Sequence, residues 1–113
     1  MRLNDAGINH IVNAIKSKWG YLRIANSTTN TYDGNEYDTP LQTLVLESTS
    51  VSGNEITLIY RLGVLDLNGE DIDMSGLATN DVDNVVHSNE VFTKFSKDDL
   101  TQWRWVYKIK VIR

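Results

Sequence analysis

The chain has 113 residues, 41% hydrophobic and 23% charged, with seven glycines and one proline. This length and composition predict a single globular domain, residues 1–113, and exclude collagen-like and disordered chains. The net charge of −4 argues against a protein that neutralises phosphates, so we expect no nucleic-acid partner. The absence of cysteine excludes disulfides, thiolate nucleophiles and cysteine-based metal sites.

The sequence has neither the pattern of a membrane span nor that of an export signal. Its apolar runs, such as residues 44–46, are far shorter than the ~20 residues that cross a bilayer. The N-terminus lacks the apolar segment of a secretory signal. We therefore expect a soluble protein without a membrane partner that stays where it is made.

The first predicted element is an amphipathic helix over residues 4–18. Its apolar residues recur at the spacing of one helical face: Ile8, Ile11, Val12 and Ile15. Asn4 or Asp5 can cap the first turn, and Gly20 offers a stop. The short β-branched and aromatic segment 21–25 then predicts a strand.

A long polar segment, residues 26–40, breaks the regular pattern. Connections of this length are usually functional or mobile, so the segment is predicted either to bind a partner or to act as a spacer. We expect its two tyrosines to be exposed, where they could stack against a sugar. The residues predicted to contact a partner are Tyr32, Asp33, Asn35, Glu36, Tyr37 and Asp38.

From residue 41 onward, the pattern predicts antiparallel strands separated by turns. The expected strands cover residues 41–51, 55–65, 72–78, 85–95 and 101–112. Gly and Asn at the intervening turns tolerate the backbone angles of tight hairpins. The predicted fold class is mainly β, an antiparallel β-sandwich with one N-terminal amphipathic α-helix.

The last predicted strand has the clearest alternation in the chain. Its apolar face is formed by Trp103, Trp105, Tyr107, Ile109 and Val111. The opposite face carries Arg104, Lys108 and Lys110 together with Val106 and Ile112. Rings of this size bury a large area, so the apolar face is predicted to be either core or an interface with another copy of the chain.

Two histidines, His10 and His87, are the side chains that titrate near neutral pH. His10 lies off the apolar helix face and is predicted to be a surface or boundary residue. His87 leaves a Ser/His/Asp arrangement open, but no G-x-S-x-G pattern accompanies it. We therefore predict no catalytic residues and no enzyme activity.

The acidic turn at residues 66–70 places oxygen ligands at alternate positions, as in the first half of a calcium loop. Asp71 stands where an EF-hand loop needs glycine, and Leu77 stands where it needs a bidentate glutamate. The EF-hand interpretation therefore fails, and we predict no metal and no cofactor. A calcium site shared between this turn and the acids of segment 26–40 stays open as an alternative.

The order of these features resembles small tail-associated virion proteins of bacteriophages. After the helix, the resemblance is carried by residues 19–24, by Asp38-Thr39-Pro40-Leu41, by Ile72-Asp73-Met74-Ser75-Gly76-Leu77, by residues 92–99 and by the Trp-centred final strand. It covers nearly the whole chain through loose motifs. The chain departs from the family pattern at Met74, where an acidic residue is common, and lacks a Gly-rich continuation after the first strand.

This resemblance implies a non-enzymatic structural protein of a virion, a helix-decorated β-sandwich that works by assembling. Such proteins form trimers or rings in the tail, neck, collar or baseplate, or attach a fibre. The implied partners are further copies of this chain and other virion proteins. The alternative is a capsid decoration or host-surface, carbohydrate-binding module that acts through segment 26–40.

Overall fold

A computed structural model describes residues 3–53 and 55–110 of the chain as one α-helix and six β-strands. The elements are α1 (Asp5–Lys18), β1 (Tyr21–Ala25), β2 (Gln42–Ser52), β3 (Glu55–Leu62), β4 (Asp71–Ala78), β5 (Glu90–Ser96) and β6 (Trp103–Lys110). The mainly β fold class with an N-terminal helix is therefore confirmed.

Helix α1 begins and ends as its sequence predicts. The side chain of Asn4 accepts a hydrogen bond of 2.9 Å from the Gly7 amide and caps the first turn. Ile8 and Val12 on the apolar face are buried. At the other end, the Trp19 amide bonds the Ile15 carbonyl, and lysines stand near the negative end of the helix dipole.

The six strands form one antiparallel sheet in the order β5-β4-β1-β2-β3-β6. The expected β-sandwich is not confirmed, because the strands belong to a single sheet that curls into a half-barrel. Strands β5 and β6 occupy the two ends of this order. The sheet therefore has two edges.

Aromatic contacts show the direction of the curl. The rings of Phe95 on β5 and Trp103 on β6 stack with their centroids 4.0 Å apart. Phe92 and Trp105 meet at 6.1 Å. Strands at opposite ends of the order can meet in this way only when the sheet bends toward the face that carries these rings, which we call the inner face.

The main hydrophobic core lies on the inner face. Strand β3 shows the alternation most clearly, because Ile56, Leu58, Tyr60 and Leu62 are fully buried. They pack in one cluster with Ile8 and Val12 of α1 and with Leu22, Ile24, Leu44, Ile72 and Leu77 of the sheet. The helix therefore covers part of the inner face.

Three strand boundaries differ from the sequence predictions by more than one residue. Strand β3 ends at Leu62 rather than at residue 65, because Gly63 opens a turn closed by the Asp66 amide. Strand β5 begins at Glu90 rather than at residue 85. The last strand begins at Trp103 rather than at residue 101 and is described as far as Lys110; Val111 and Ile112 lie outside the described residues.

Residues 85–89 cross β4 instead of extending β5. The His87 amide bonds the Leu77 carbonyl at 2.7 Å, and the Ser88 hydroxyl accepts the Leu77 amide. The crossing passes directly over Gly76, where a Cβ would lie 2.9 Å from the Cβ of Val86. Glycine is required at this position because another backbone approaches so closely.

Candidate functional site

Two connections pack together on the outer face of β1 and β4, and we call them the loop layer: residues 26–40 and 79–89. The Tyr37 amide bonds the Asn84 carbonyl at 3.0 Å, and the Val86 amide bonds the Asn35 carbonyl at 2.9 Å. The predicted polar excursion is therefore an ordered second layer of the structure, which packs on the sheet.

Tyr37 is the centre of this layer and is fully buried. It packs with Ala25, Met74 and Val86, and its hydroxyl donates to the Asn89 side chain at 2.6 Å. Burial raises the pKa of Tyr37. The expectation that both loop tyrosines are exposed is therefore wrong for Tyr37. Tyr32 is half-buried and meets the Tyr37 ring edge to face at 5.8 Å.

The other predicted contact residues of the loop layer are exposed: Asp33, Asn35, Glu36 and Asp38. The Asp33 carboxylate accepts the amides of Asn35 and Glu36, which lowers its pKa. Asp38 accepts the Thr31 amide and holds the base of the same loop. The loop therefore presents fixed carboxylates to the solvent.

The buried guanidinium of Arg23 anchors the loop layer to β1. Its Nε donates to the Asp83 carbonyl at 2.9 Å, and its Nη2 reaches the Asn80 side chain and the Asp83 carboxylate at 3.3 and 3.2 Å. Burial lowers the pKa of Arg23, opposed by the charges of Asp83 and Asp81. The pKa of Asp83 is lowered, first by the Asn80 side chain and then by the Val85 amide.

The apolar face of β6 points to the inner face of the sheet, as the alternation predicts. Trp105, Tyr107 and Ile109 are half-buried against the main core, whereas 39% of Trp103 is exposed. The Tyr107 hydroxyl hydrogen-bonds the Ser75 hydroxyl across the half-barrel. Burial raises the pKa of Tyr107 to about 12.

A groove of about 580 Å³ follows the space between β5 and β6, and we call it the seam. The rings of Phe92, Phe95, Trp103 and Trp105 line it together with the outward side chains of both strands. The strand order does not pair β5 with β6. The seam therefore separates two sheet edges whose backbone groups are available for pairing.

The outer face of β3 and β6 carries exposed cationic side chains. Arg104 and Lys108 flank Val106, and 53% of Val106 is exposed. Arg104 contacts Glu47 at 3.4 Å and Lys108 contacts Glu55 at 3.8 Å, both as surface ion pairs. No segment of the described chain covers this face in the way that the loop layer covers β1 and β4.

The two histidines lie apart. His10 is exposed on α1. The Nδ1 of His87 accepts a hydrogen bond of 3.1 Å from the Trp19 indole, so this ring links the loop layer to the end of the helix. The Ser88 hydroxyl beside it is bonded to the Leu77 amide.

The acidic turn after β3 surrounds a lysine. The buried Lys97 ammonium donates to the Val64 carbonyl, the Asn68 side chain and the Asp98 carbonyl at 3.0, 2.9 and 2.6 Å. An ammonium thus occupies the oxygen-rich turn in which the sequence suggested calcium ligands. Across residues 3–53 and 55–110, no three acidic or histidine side chains form a group that could hold a metal ion.

Sequence reasoning missed the two buried cations, Arg23 and Lys97, and the crossing over Gly76. The glycine inside a predicted strand was the available signal, because such a glycine often marks a close backbone approach. Helix α1 spans 14 residues, and no helix in the described part of the chain could cross a membrane. Comparisons with protein-family models, curated proteins and solved structures find no match to this chain.

Proposed function

We propose that the protein is a non-enzymatic structural component that works by self-assembly, with copies docking along β6. The observation that carries this proposal is the open seam, where two sheet edges and a partly exposed aromatic face stand unpaired. Edges of this kind are usually covered, twisted away or charged, since they pair readily with other chains. A neighbouring copy is one way to cover them.

We further propose a bacteriophage virion as the place of this assembly, in the tail, neck or baseplate or at a fibre attachment. This part rests on the resemblance of the sequence motifs. The close approach at Gly76 and Leu77 gives one of those motifs a structural reason, because the loop layer cannot close over a side chain there. Other virion proteins are then the further partners.

The test is the solution mass by size-exclusion chromatography with light scattering across a concentration series. We expect an oligomer that dissociates on dilution. Val106→Glu places a carboxylate on the exposed β6 valine and should lower the mass. Val91→Glu is the matched control, since Val91 is exposed to 67% on β5 but does not line the seam.

A monomer at every concentration would overturn the proposal and favour a decoration or host-surface module acting through residues 26–40. If both variants form the same oligomer as the wild type, the proposal that copies dock along β6 is wrong. Circular dichroism and thermal melts of both variants establish that they are folded.

A further inference from the structure

The two outer faces of the half-barrel carry opposite charge. The loop layer exposes five carboxylates: Asp33, Glu36, Asp38, Asp81 and Asp83. Asp83 is paired with the buried Arg23, and the Lys94 ammonium contacts Thr28 of the same layer, so an excess of negative charge remains. Among these carboxylates stands Val82, 87% exposed between two aspartates. We call this surface the acidic face.

The opposite surface, the basic face, is the outer side of β3 and β6. Its exposed cations are Arg61, Arg104, Lys108 and Lys110. Two of them are paired with Glu47 and Glu55, which leaves an excess of positive charge in a chain whose net charge is −4. Val106 stands between Arg104 and Lys108 on the same side of the strand.

The acidic face and the basic face cannot meet within one chain. Strands β4 and β1 lie near one end of the sheet order and β3 and β6 at the other. Because the sheet curls, these two pairs of strands form opposite walls, and their outer faces point away from each other. Each chain therefore carries an acidic and a basic surface directed to opposite sides.

We propose that these faces bind each other between copies, so that the acidic face of one chain docks on the basic face of the next. The two faces are complementary, because each presents an exposed valine flanked by charged residues and these charges have opposite signs. Such head-to-tail contacts close into a ring or extend as a filament, unlike the self-complementary contact of a twofold dimer.

Two carboxylates of the acidic face are held by hydrogen bonds from their neighbours. Asp33 and Asp83 each accept hydrogen bonds from neighbouring groups that lower their pKa values. Arg23 lies beneath the same loops, and the Glu36 backbone is bridged to Val85. A surface held in this way loses little conformational freedom when it binds.

This inference rests on the proposed function, because it places the docking of β6 on its outer side, where Arg104 and Val106 also line the seam. A second copy is favoured over another partner since the same molecule supplies both complementary faces. Charge complementarity mainly steers encounter and selects the partner, so the association should weaken as salt screens the charges.

The experiment uses two altered proteins, each with two charge-reversing substitutions. Arg104→Glu with Lys108→Glu places two carboxylates on the basic face, and Glu36→Lys with Asp81→Lys places two lysines on the acidic face. All four side chains are exposed, and Asp83, which binds Arg23, is left intact. By sedimentation or light scattering at low salt, each protein alone should associate at least about tenfold more weakly than the wild type.

Mixing the two altered proteins lets every altered face meet its complement, so the equimolar mixture should assemble again. A single chain with all four substitutions should regain the wild-type mass. Recovery distinguishes a matched interface from general damage, because unfolded or merely destabilised variants do not rescue each other.

Three results would contradict the inference in different ways. Altered proteins that assemble like the wild type would refute head-to-tail docking and leave the proposed function standing. Altered proteins that lose assembly and do not regain it when they are mixed would also refute head-to-tail docking. A wild-type protein that stays monomeric under these conditions would refute both the inference and the proposed function.

Discussion

Strand β4 and strand β6 belong to the same sheet, yet they differ in how many of their faces are buried. In β4, the seven residues Ile72–Ala78 are buried on both faces of the strand. In β6, Trp105, Tyr107 and Ile109 are half-buried and the other residues are exposed. The difference arises because the loop layer covers the outer face of β4, whereas the outer face of β6 meets solvent.

The two walls differ in whether the chain covers its own outer face. The wall of β4 and β1 is completed by chain that folds back over it, with Tyr37 buried and Arg23 fixed. The wall of β3 and β6 buries only its inner face in the described chain. The chain therefore covers the outer face of the first wall itself and leaves that of the second wall open to solvent.

We expect the largest effect to be a loss of stability at alkaline pH, because both walls contain buried tyrosines. Burial raises the pKa of Tyr37 and Tyr60, and that of Tyr107 to about 12. The folded state therefore favours the protonated phenols. Their contribution is fully present below the unfolded-state pKa of about 10 and is lost as the pH rises through the folded-state values.

The measurement is chemical denaturation at a series of alkaline pH values, with phenolate absorbance recorded in parallel. Tyr37→Phe and Tyr107→Phe should each make the decline less steep. A free energy of unfolding that stays constant above a pH of about 10 would contradict the burial of these phenols.

The outer faces of the two walls can be compared by truncating one apolar side chain on each. Met74→Ala removes a buried side chain beneath the loop layer and should destabilise by about 3 kcal/mol. Val106→Ala, on the uncovered face, should change the free energy of unfolding by less than about 0.5 kcal/mol. The measurement is a denaturant titration at concentrations where the protein is monomeric. Equal losses in the free energy of unfolding for the two variants would contradict this difference between the walls.

The crossing over β4 can be disturbed by one methyl group. Gly76→Ala places a Cβ against Val86 and the Ser88 carbonyl, so we expect a loss of about 2 kcal/mol from overpacking. Gly7→Ala in α1 is the matched control. Its Cβ would lie 3.3 Å from the flexible end of Leu3, which can move aside, so the variant should be neutral or stabilising, because alanine favours helix by up to ~1 kcal/mol. Thermal melts of both variants check this, and a fully stable Gly76→Ala protein would show that the crossing is loose.

The smallest effect concerns the contact across the half-barrel. Tyr107→Phe removes the hydrogen bond to Ser75 and should cost about 1 kcal/mol. Ser75→Ala tests the same bond from the other side, and the double variant measures the coupling between them. Strictly additive effects of the two substitutions would mean that β4 and β6 do not interact there.

Local periodicity was sufficient to predict α1 and the approximate positions of all six strands. The curl of the sheet was not predictable, because it depends on contacts between residues far apart in sequence, such as Phe95 and Trp103. The burial of Tyr37 was missed for the same reason. Its neighbours Val86 and Asn89 lie in a different loop, and the polar composition around it favours exposure.

The charge on the two outer faces illustrates the same limit. The alternation of β6 predicted which residues face away from the core, and Arg104 and Lys108 do so. The acidic face could not be assembled from the sequence, since it brings together residues 33–38 and 81–83 from separate loops. Only the packing of those loops on Arg23 and Gly76 places their carboxylates on one surface.

The most direct test of the central claim is hydrogen exchange followed by mass spectrometry at low and high protein concentration. Our account predicts that amides of residues 103–110 and 79–89 gain protection as the concentration rises, while those of β4 do not change. Exchange that is independent of concentration throughout the chain would contradict it. So would protection gained elsewhere, with β6 unaffected.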